Sequence, residues 1–92
     1  MKFYVISYDI PDHKRRKKIA DLLEGYGARV QYSVFECVLA PHQYQELQRR
    51  LSKVFRKGED SLRFYPIPSQ TLTQAEVWGA PPLTSPPGSV IV

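Results

Sequence analysis

The sequence predicts a single small α+β domain, in which two helices pack on one face of an antiparallel sheet. A chain of 92 residues is long enough for only one domain. Short runs rich in β-branched and aromatic residues alternate with two segments in which apolar residues recur at helical spacing. The single cysteine, Cys37, has no second cysteine to bridge, which excludes a disulfide framework and a cysteine-rich zinc site. We expect Cys37 to be buried as a small hydrophobic side chain.

The first predicted strand spans residues 2–10 and carries one carboxylate near its end. This residue, Asp9, is costly to bury unless it is paired or bound to a metal. Pro11 and Asp12 end the strand, and Asp12 is expected to cap a helix that continues to about Glu24. The apolar residues of this helix recur at i, i+3, i+4 and i+7, and they are Ile19, Leu22, Leu23 and Tyr26.

The run GARVQYSVFECVLA, which follows, is too long for one typical strand, since it would span about 43 Å if fully extended. We therefore predict two strands that are split near residues 31–33 and joined tightly or by a bulge. Pro41 is expected to begin a second helix, which Gly58 would end. Its apolar residues are Tyr44, Leu47, Leu51, Val54 and Phe55. Residues 61–67 form the last predicted strand.

The predicted order is strand, helix, strand, strand, helix, strand, which is typical of the ferredoxin-like βαββαβ fold. The first strand is apolar on both sides, so a second copy of the chain is expected to pack on the face that the helices leave open. Residues 1–68 would form this domain. Residues 69–92 are a proline-rich extension, expected to dock on the dimer or on a partner. Its apolar pieces at 75–78 and 90–92 are predicted to be short strands on the chain's own sheet, on a dimer partner or on another protein, and disorder is the alternative.

The net charge of +4 is concentrated in two basic clusters. The first contains Lys14, Arg15, Arg16, Lys17 and Lys18, and the second contains Arg49, Arg50, Lys53, Arg56 and Lys57. Five adjacent cations repel one another, and phosphate groups of a nucleic acid would offset that repulsion. For the second cluster, a solvated helix face is an equally good interpretation.

Asp9 has two interpretations from the sequence, a turn residue or a metal ligand. One carboxylate per chain is too few for a metal site, but two symmetric copies could together hold one Mg²⁺ or Mn²⁺ ion across a dimer axis. His13 and His42 have no metal-ligand spacing and are expected at the surface, while Ser33 has no evident base partner. The sequence has no phosphate-binding glycine motif, which argues against nucleotide binding through such a loop. It also has no long apolar run, so we expect a cytoplasmic protein without a membrane partner.

Several segments resemble the small CRISPR-associated endoribonuclease family, the second core protein of the spacer-acquisition machinery. These are YVISYDIPD with the following RRKK, the run QYSVFECVL, the helix after Pro41 and the strand LRFYPI, which together cover residues 2–67. The resemblance implies a ferredoxin-like homodimer with metal-dependent nuclease activity on single-stranded RNA or double-stranded DNA. It implies that Asp9 is the catalytic metal ligand. The residues implied to line the same cleft are Tyr8, Arg15, Arg16, Arg29 and Phe35.

The resemblance also implies a partner, the CRISPR integrase, which is the first core protein of that machinery. The extension would make this contact through residues 76–78 and 90–92, with Val77, Trp78, Val90 and Ile91 as the candidate docking residues. The alternative function is a non-catalytic bridge between integrase dimers. The residues expected to contact nucleic acid are Lys14, Arg15, Arg16, Lys17, Lys18, Arg49, Arg50 and Lys53. A third possibility is a ferredoxin-like regulatory or small-molecule module that binds no nucleic acid.

Overall fold

The computed structural model describes residues 1–85, which form four strands and three helices. The elements are β1 (Lys2–Asp9), α1 (His13–Glu24), β2 (Ala28–Gln31), β3 (Val34–Leu39), α2 (Pro41–Ser52), β4 (Ser61–Ile67) and α3 (Ser69–Leu72). The sheet has the order β2-β3-β1-β4, and each neighbouring pair is antiparallel. This arrangement confirms the predicted ferredoxin-like fold.

Helix α1 has the limits that the sequence predicts. The Asp12 side chain accepts a hydrogen bond from the Arg15 backbone N–H at 2.9 Å, which caps the first turn. After Glu24 the chain passes through two glycines into β2. A Cβ atom on Gly27 would collide with the Glu36 carbonyl oxygen and with the sulfur of Cys37. The turn can therefore lie directly on β3 only because this position has no side chain.

The two middle strands and the second helix follow the prediction closely, except at one boundary. A turn at Tyr32 and Ser33 separates β2 from β3, and the register shifts near the end of β2. Helix α2 begins at Pro41, as predicted, but it ends at Ser52 rather than near Gly58. Its helical spacing continues in sequence to Val54, which packs on the core from outside the helix. Periodicity alone therefore predicted a helix that is too long.

The core lies between the sheet and the two long helices. Its fully buried side chains are Ile6, Ile19, Leu23, Phe35, Cys37, Leu47 and Leu51. The ring of Tyr4 stacks on that of Tyr44 with centroids 4.0 Å apart, which links β1 to α2. Cys37 is buried as expected, and burial raises the pKa of its thiol to about 11 because the thiolate is poorly solvated there.

The opposite face of the sheet has a covered end and an uncovered end. At the covered end, the extension crosses the strands, and the Thr84 backbone N–H donates to Glu36 Oε1 at 3.1 Å. Phe3 is only 6 % exposed beneath it. Val5, whose partner on β3 is Glu36, is half-buried, and its other neighbour, Tyr65 on β4, is 42 % exposed. The uncovered end of this face is the end at which Asp9 lies.

The extension contains the short helix α3 and then irregular chain up to residue 85. The predicted strand at residues 75–78 is not part of the chain's own sheet, so that interpretation is wrong, and strand addition to a partner stays a prediction. The predicted piece at residues 90–92 lies outside the described residues. Among residues 1–85, no helix has both the length and the apolar character that crossing a membrane requires.

Candidate functional site

Asp9 is the last residue of β1 and is exposed. Successive side chains of a strand point to opposite faces, so Asp9 lies on the same face as Val5 and Ser7, away from the helices. Its strand partner on β4 is Ser61. Within residues 1–85, no cationic side chain lies within 4 Å of the Asp9 carboxylate. Asp9 thus presents an unneutralised carboxylate at the uncovered end of the sheet.

Arg15 is held by acidic residues and is not free to bind a phosphate. Its Nε and Nη2 atoms each donate to the Asp60 carboxylate at 2.9 Å, and Glu59 lies 3.6 Å from Nη2. The Asp60 side chain is completely buried, and it also accepts the Arg56 backbone N–H at 2.9 Å. The Arg15 guanidinium holds the pKa of Asp60 below its usual value. Arg15 therefore ties α1 to the loop before β4, and its expected place in a substrate cleft stays a prediction.

Arg16, the next residue, is placed differently. Its guanidinium donates to the Ile10 carbonyl oxygen at 2.9 Å and lies 3.0 Å from His13 Nδ1, and neither partner is a carboxylate. It lines a cleft of about 370 Å³ between α1 and the β2–β3 turn. Tyr8 and Arg29 line the same cleft, so the structure brings together three of the predicted site residues. Asp9 lies on the other face of the sheet and is not part of this cleft.

Two residues of the cleft, Arg29 and Tyr8, hold the backbone of the β2–β3 turn in place. The Tyr32 carbonyl oxygen accepts hydrogen bonds from Arg29 Nη1 at 2.7 Å and from the Tyr8 hydroxyl at 3.3 Å. Burial raises the pKa of the Tyr8 hydroxyl, although the Arg29 charge partly opposes this. Because the hydroxyl stays protonated at neutral pH, it remains available as a hydrogen-bond donor.

Phe35 lies beneath the cleft between α1 and the β2–β3 turn, and its expected place in a cleft with Asp9 stays a prediction. Its side chain is fully buried in the core, and the Arg29 guanidinium lies over its ring, 5.2 Å from the centroid. The arginine and the ring thus form a cation–π pair. Phe35 acts on the cleft only through Arg29, as the surface on which the guanidinium rests.

The lysines of the first basic cluster differ in whether they form an ion pair. Lys14 and Lys18 are exposed, and within residues 1–85 neither has a carboxylate in ion-pair distance. Lys17 is exposed as well but pairs with Asp21 at 3.1 Å, one helical turn away. The two unpaired lysines are the ones best placed to meet an external phosphate.

The second basic cluster is less available than the sequence predicts. Arg50 donates to the Tyr26 hydroxyl at 3.0 Å, and that hydroxyl in turn donates to Glu46. Arg49 and Lys53 are exposed. Arg56 pairs with Glu59 at 3.4 Å and lies beyond the end of α2, so only Arg49 and Arg50 of this cluster are on the helix itself.

Of the four candidate docking residues of the extension, the structure describes Val77 and Trp78. Trp78 is 93 % exposed and Val77 is 47 % exposed. The candidates Val90 and Ile91 lie outside the described residues. His13 and His42 are both exposed, as expected, and His13 contacts Arg16.

Two residues that shape this region were not found from the sequence. Asp60 precedes β4, and nothing in the local pattern predicts its contact with a residue of α1. Tyr32 lies in the predicted split between two strands and is 73 % exposed at the rim of the cleft. An aromatic residue in a tight polar turn was the signal that could have found it.

A metal ion would have to rely on few protein ligands. Residues 1–85 contain no group of three or more His, Cys, Asp or Glu side chains that could hold one. Mg²⁺ often takes only one or two carboxylates, with water and phosphate oxygens as its other ligands. The exposed Asp9 carboxylate is a hard oxygen donor of this type, so the chemistry of the residue fits such an ion.

A family model described as CRISPR associated protein Cas2 matches residues 1–75. Among curated proteins, the chain is 67 % identical over 92 residues to CRISPR-associated endoribonuclease Cas2 3 of Synechocystis sp. (strain ATCC 27184 / PCC 6803 / Kazusa), and the match covers 100 % of both chains. Both matches extend over the part of this chain that contains Asp9 and the cleft.

Two solved structures that resemble this chain are named for Cas2 or for a complex that contains it. The chain is similar to Streptococcus pyogenes Cas2, with a TM-score of 0.73 and 32 % identity over 84 % of this chain and 99 % of the other. It is also similar to a chain of a partial Cas6-RT-Cas1–Cas2 complex, with a TM-score of 0.73 and 31 % identity over 84 % of this chain and 90 % of that one.

Proposed function

The chain belongs to the CRISPR-associated Cas2 family, and from this we propose that it is a metal-dependent endonuclease of CRISPR-based antiviral defence. Its relative from Synechocystis is named an endoribonuclease, which supports hydrolysis of RNA phosphodiester bonds. The observation that carries the proposal is the position of Asp9. Its carboxylate is exposed and unneutralised at the uncovered end of the sheet, where a second copy can reach it.

The proposed active form is a homodimer. The described part of the extension, up to residue 85, reaches Glu36, the β3 partner of Val5, and leaves Tyr65 and Asp9 exposed, so a second copy is expected to pack at the Asp9 end of the face. An exposed tyrosine beside a half-buried valine is typical of a surface that another protein covers. Packing there across a two-fold axis would bring the two Asp9 carboxylates toward each other.

In this dimer, the two Asp9 side chains would hold one Mg²⁺ or Mn²⁺ ion. When bound, such an ion lowers the pKa of a coordinated water and stabilises negative charge on the scissile phosphate. The chain's own contribution is to fix the carboxylates at the end of β1, beside the turn that Asp12 and Arg15 hold in place. Arg16 and Arg29 supply positive charge near the adjacent strand end, while Arg15 is occupied by Asp60.

A second function, a DNA-binding bridge in spacer acquisition, is favoured by the exposed lysines of α1. Lys14 and Lys18 can contact phosphates without reading bases. A similar chain occurs in a complex with Cas1, which supports the integrase as the partner. We propose that Val77 and Trp78 make this contact, because large exposed aromatic residues are frequent anchors of interfaces.

A cleavage assay tests the first function. Purified protein is incubated with single-stranded RNA and with duplex DNA while Mg²⁺ or Mn²⁺ is titrated, with chelator in the control. Cleavage that rises with the ion and stops with the chelator is expected. Cleavage that the chelator leaves unchanged would contradict the proposed metal dependence, and a chain that binds DNA and Cas1 without cleaving would leave the bridge as its function.

A further inference from the structure

The cleft between α1 and the β2–β3 turn has features of its own that the Asp9 site does not use. Three cations line it, Arg16, Lys17 and Arg29, against the two carboxylates Asp21 and Glu24. Asp21 pairs with Lys17 at 3.1 Å, and Glu24 lies 3.5 Å from Arg29. The positive charge that no acid in the cleft neutralises is therefore that of Arg16.

The Arg16 guanidinium is held in position without being neutralised. The Ile10 and Pro11 carbonyl oxygens accept from Nη1, Nη2 lies 3.0 Å from His13 Nδ1, and none of these partners is a carboxylate. A guanidinium has five N–H donors in a fixed plane, so donors remain for an external anion. A group with two or more acceptor oxygens, such as a phosphodiester, matches this arrangement.

Tyr32 forms the rim of the cleft and is 73 % exposed. Exposure of a tyrosine ring in a turn is by itself unremarkable. Here, however, the turn is fixed by Arg29 and Tyr8 at the Tyr32 carbonyl, and by the hydrogen bond from the Tyr8 backbone N–H to the Ser33 carbonyl oxygen at 3.1 Å. The ring is an aromatic surface on a fixed backbone, directly beside a cationic cleft.

We infer that this cleft binds one phosphate of an unpaired nucleic-acid strand through Arg16, with a neighbouring base stacked on Tyr32. A positively charged groove combined with an aromatic stacking surface is the usual basis of single-strand binding. In a duplex, bases are stacked on their own neighbours, so none is available to the Tyr32 ring. The site would hold the strand on the helix side of the sheet, while cleavage takes place at the Asp9 end. The inference rests on the proposed function for the choice of nucleic acid as ligand.

Binding of labelled oligonucleotides tests this inference. Fluorescence anisotropy is measured in EDTA, so that no cleavage occurs, with single-stranded RNA, single-stranded DNA of the same sequence and duplex DNA. Replacing Tyr32→Ala is expected to weaken binding of both single strands by about 5- to 100-fold, the loss typical of one stacked base. Duplex binding should stay unchanged. Tyr32→Phe should retain single-strand affinity within about twofold, because stacking needs the ring and not the hydroxyl.

His42→Ala is the matched control, since His42 is an exposed ring at the start of α2, at the opposite end of the sheet. It should bind like the wild type. A loss confined to RNA would still support the site and would add recognition of the 2′-hydroxyl. The inference is overturned if the wild type binds neither single strand, if Tyr32→Ala weakens duplex and single-strand binding equally, or if it weakens neither.

The outcome separates this inference from the nuclease proposal. A wild-type protein that never cleaves in Mg²⁺ but loses single-strand binding in Tyr32→Ala would contradict the nuclease and support the cleft. Normal metal-dependent cleavage, with single-strand affinity unaffected by Tyr32→Ala, would support the nuclease and contradict the binding site in the cleft.

Discussion

Tyr8 and Asp9 are consecutive residues of β1 and lie on opposite faces of the sheet. Tyr8 is 6 % exposed beneath the helices, whereas Asp9 is exposed on the face that carries no helix. Alternation along one strand thus separates a cationic cleft on the helix side from a carboxylate on the uncovered side. Because they lie on opposite faces, we expect that substitutions can disable the carboxylate and the cleft independently.

Replacing Asp9→Asn should abolish metal-dependent cleavage, by at least about 100-fold, because the amide is a poor ligand for a hard cation. Initial rates on single-stranded RNA in Mg²⁺ measure this. Binding of RNA in EDTA should be unchanged, since Asp9 is not part of the cleft. The matched control is Asp12→Asn, which removes a nearby carboxylate but keeps a good helix cap. Equal rates for Asp9→Asn and the wild type would remove Asp9 from the mechanism.

Replacing Asp60→Asn should destabilise the fold by about 2 kcal/mol at pH 7, because a buried charged partner of Arg15 is lost. Urea unfolding followed by circular dichroism measures the difference. Arg15 lowers the pKa of Asp60 in the folded protein, so this stabilisation is present above the unfolded value of about 3.9 and is lost as pH falls through the folded pKa. The difference in free energy of unfolding between the wild type and the variant should therefore become smaller toward pH 3. A gap that is constant with pH would mean that the charge of Asp60 contributes nothing.

The double variant Lys14→Gln, Lys18→Gln should weaken binding of duplex DNA and make it less sensitive to salt. Each lost phosphate contact lowers the slope of log affinity against log salt by about 0.9, so the double variant should lose about 2 units of slope. Anisotropy between low and physiological salt measures the slope. Arg50→Gln is the control, because Arg50 already binds Tyr26. An unchanged slope in the double variant would remove these lysines from the DNA surface.

Replacing Trp78→Ala should weaken binding to Cas1 by about 30-fold, the loss typical of a central aromatic anchor. Isothermal titration with purified Cas1 of the same system measures this, and Trp78→Phe should lose less. Nucleic-acid binding should stay unchanged in both variants. Wild-type affinity of Trp78→Ala for Cas1 would show that the exposed ring has another purpose.

The fold could be predicted from the sequence because its signals are local. Asp12 caps α1 through the Arg15 backbone three residues later, and Pro41 begins α2. The end of α2 was missed because Val54 continues the helical spacing after the helix has ended. The path of the extension could not be predicted, because it depends on a hydrogen bond between Thr84 and Glu36, which are 48 residues apart in the sequence.

The site could be predicted less completely, since the sequence does not separate Arg15 from Arg16. The two are adjacent and identical in type, and only the contact of Arg15 with Asp60, 45 residues away, assigns it a structural role. The position of Phe35 beneath Arg29 could not be predicted either. The guanidinium covers the ring only because the β2–β3 register places the two residues opposite each other. Asp9 could be chosen as a candidate from the sequence because a charge that ends an apolar strand is unusual, and its role as a metal ligand stays a prediction.

The number of ions bound per chain tests the central claim most directly. Mn²⁺ is titrated onto the purified protein, with and without a short single-stranded oligonucleotide, and free ion is measured by electron paramagnetic resonance. The account predicts one tightly bound Mn²⁺ for every two chains, lost in Asp9→Asn. One ion per chain, or binding that Asp9→Asn leaves intact, would contradict a site shared between two Asp9 carboxylates.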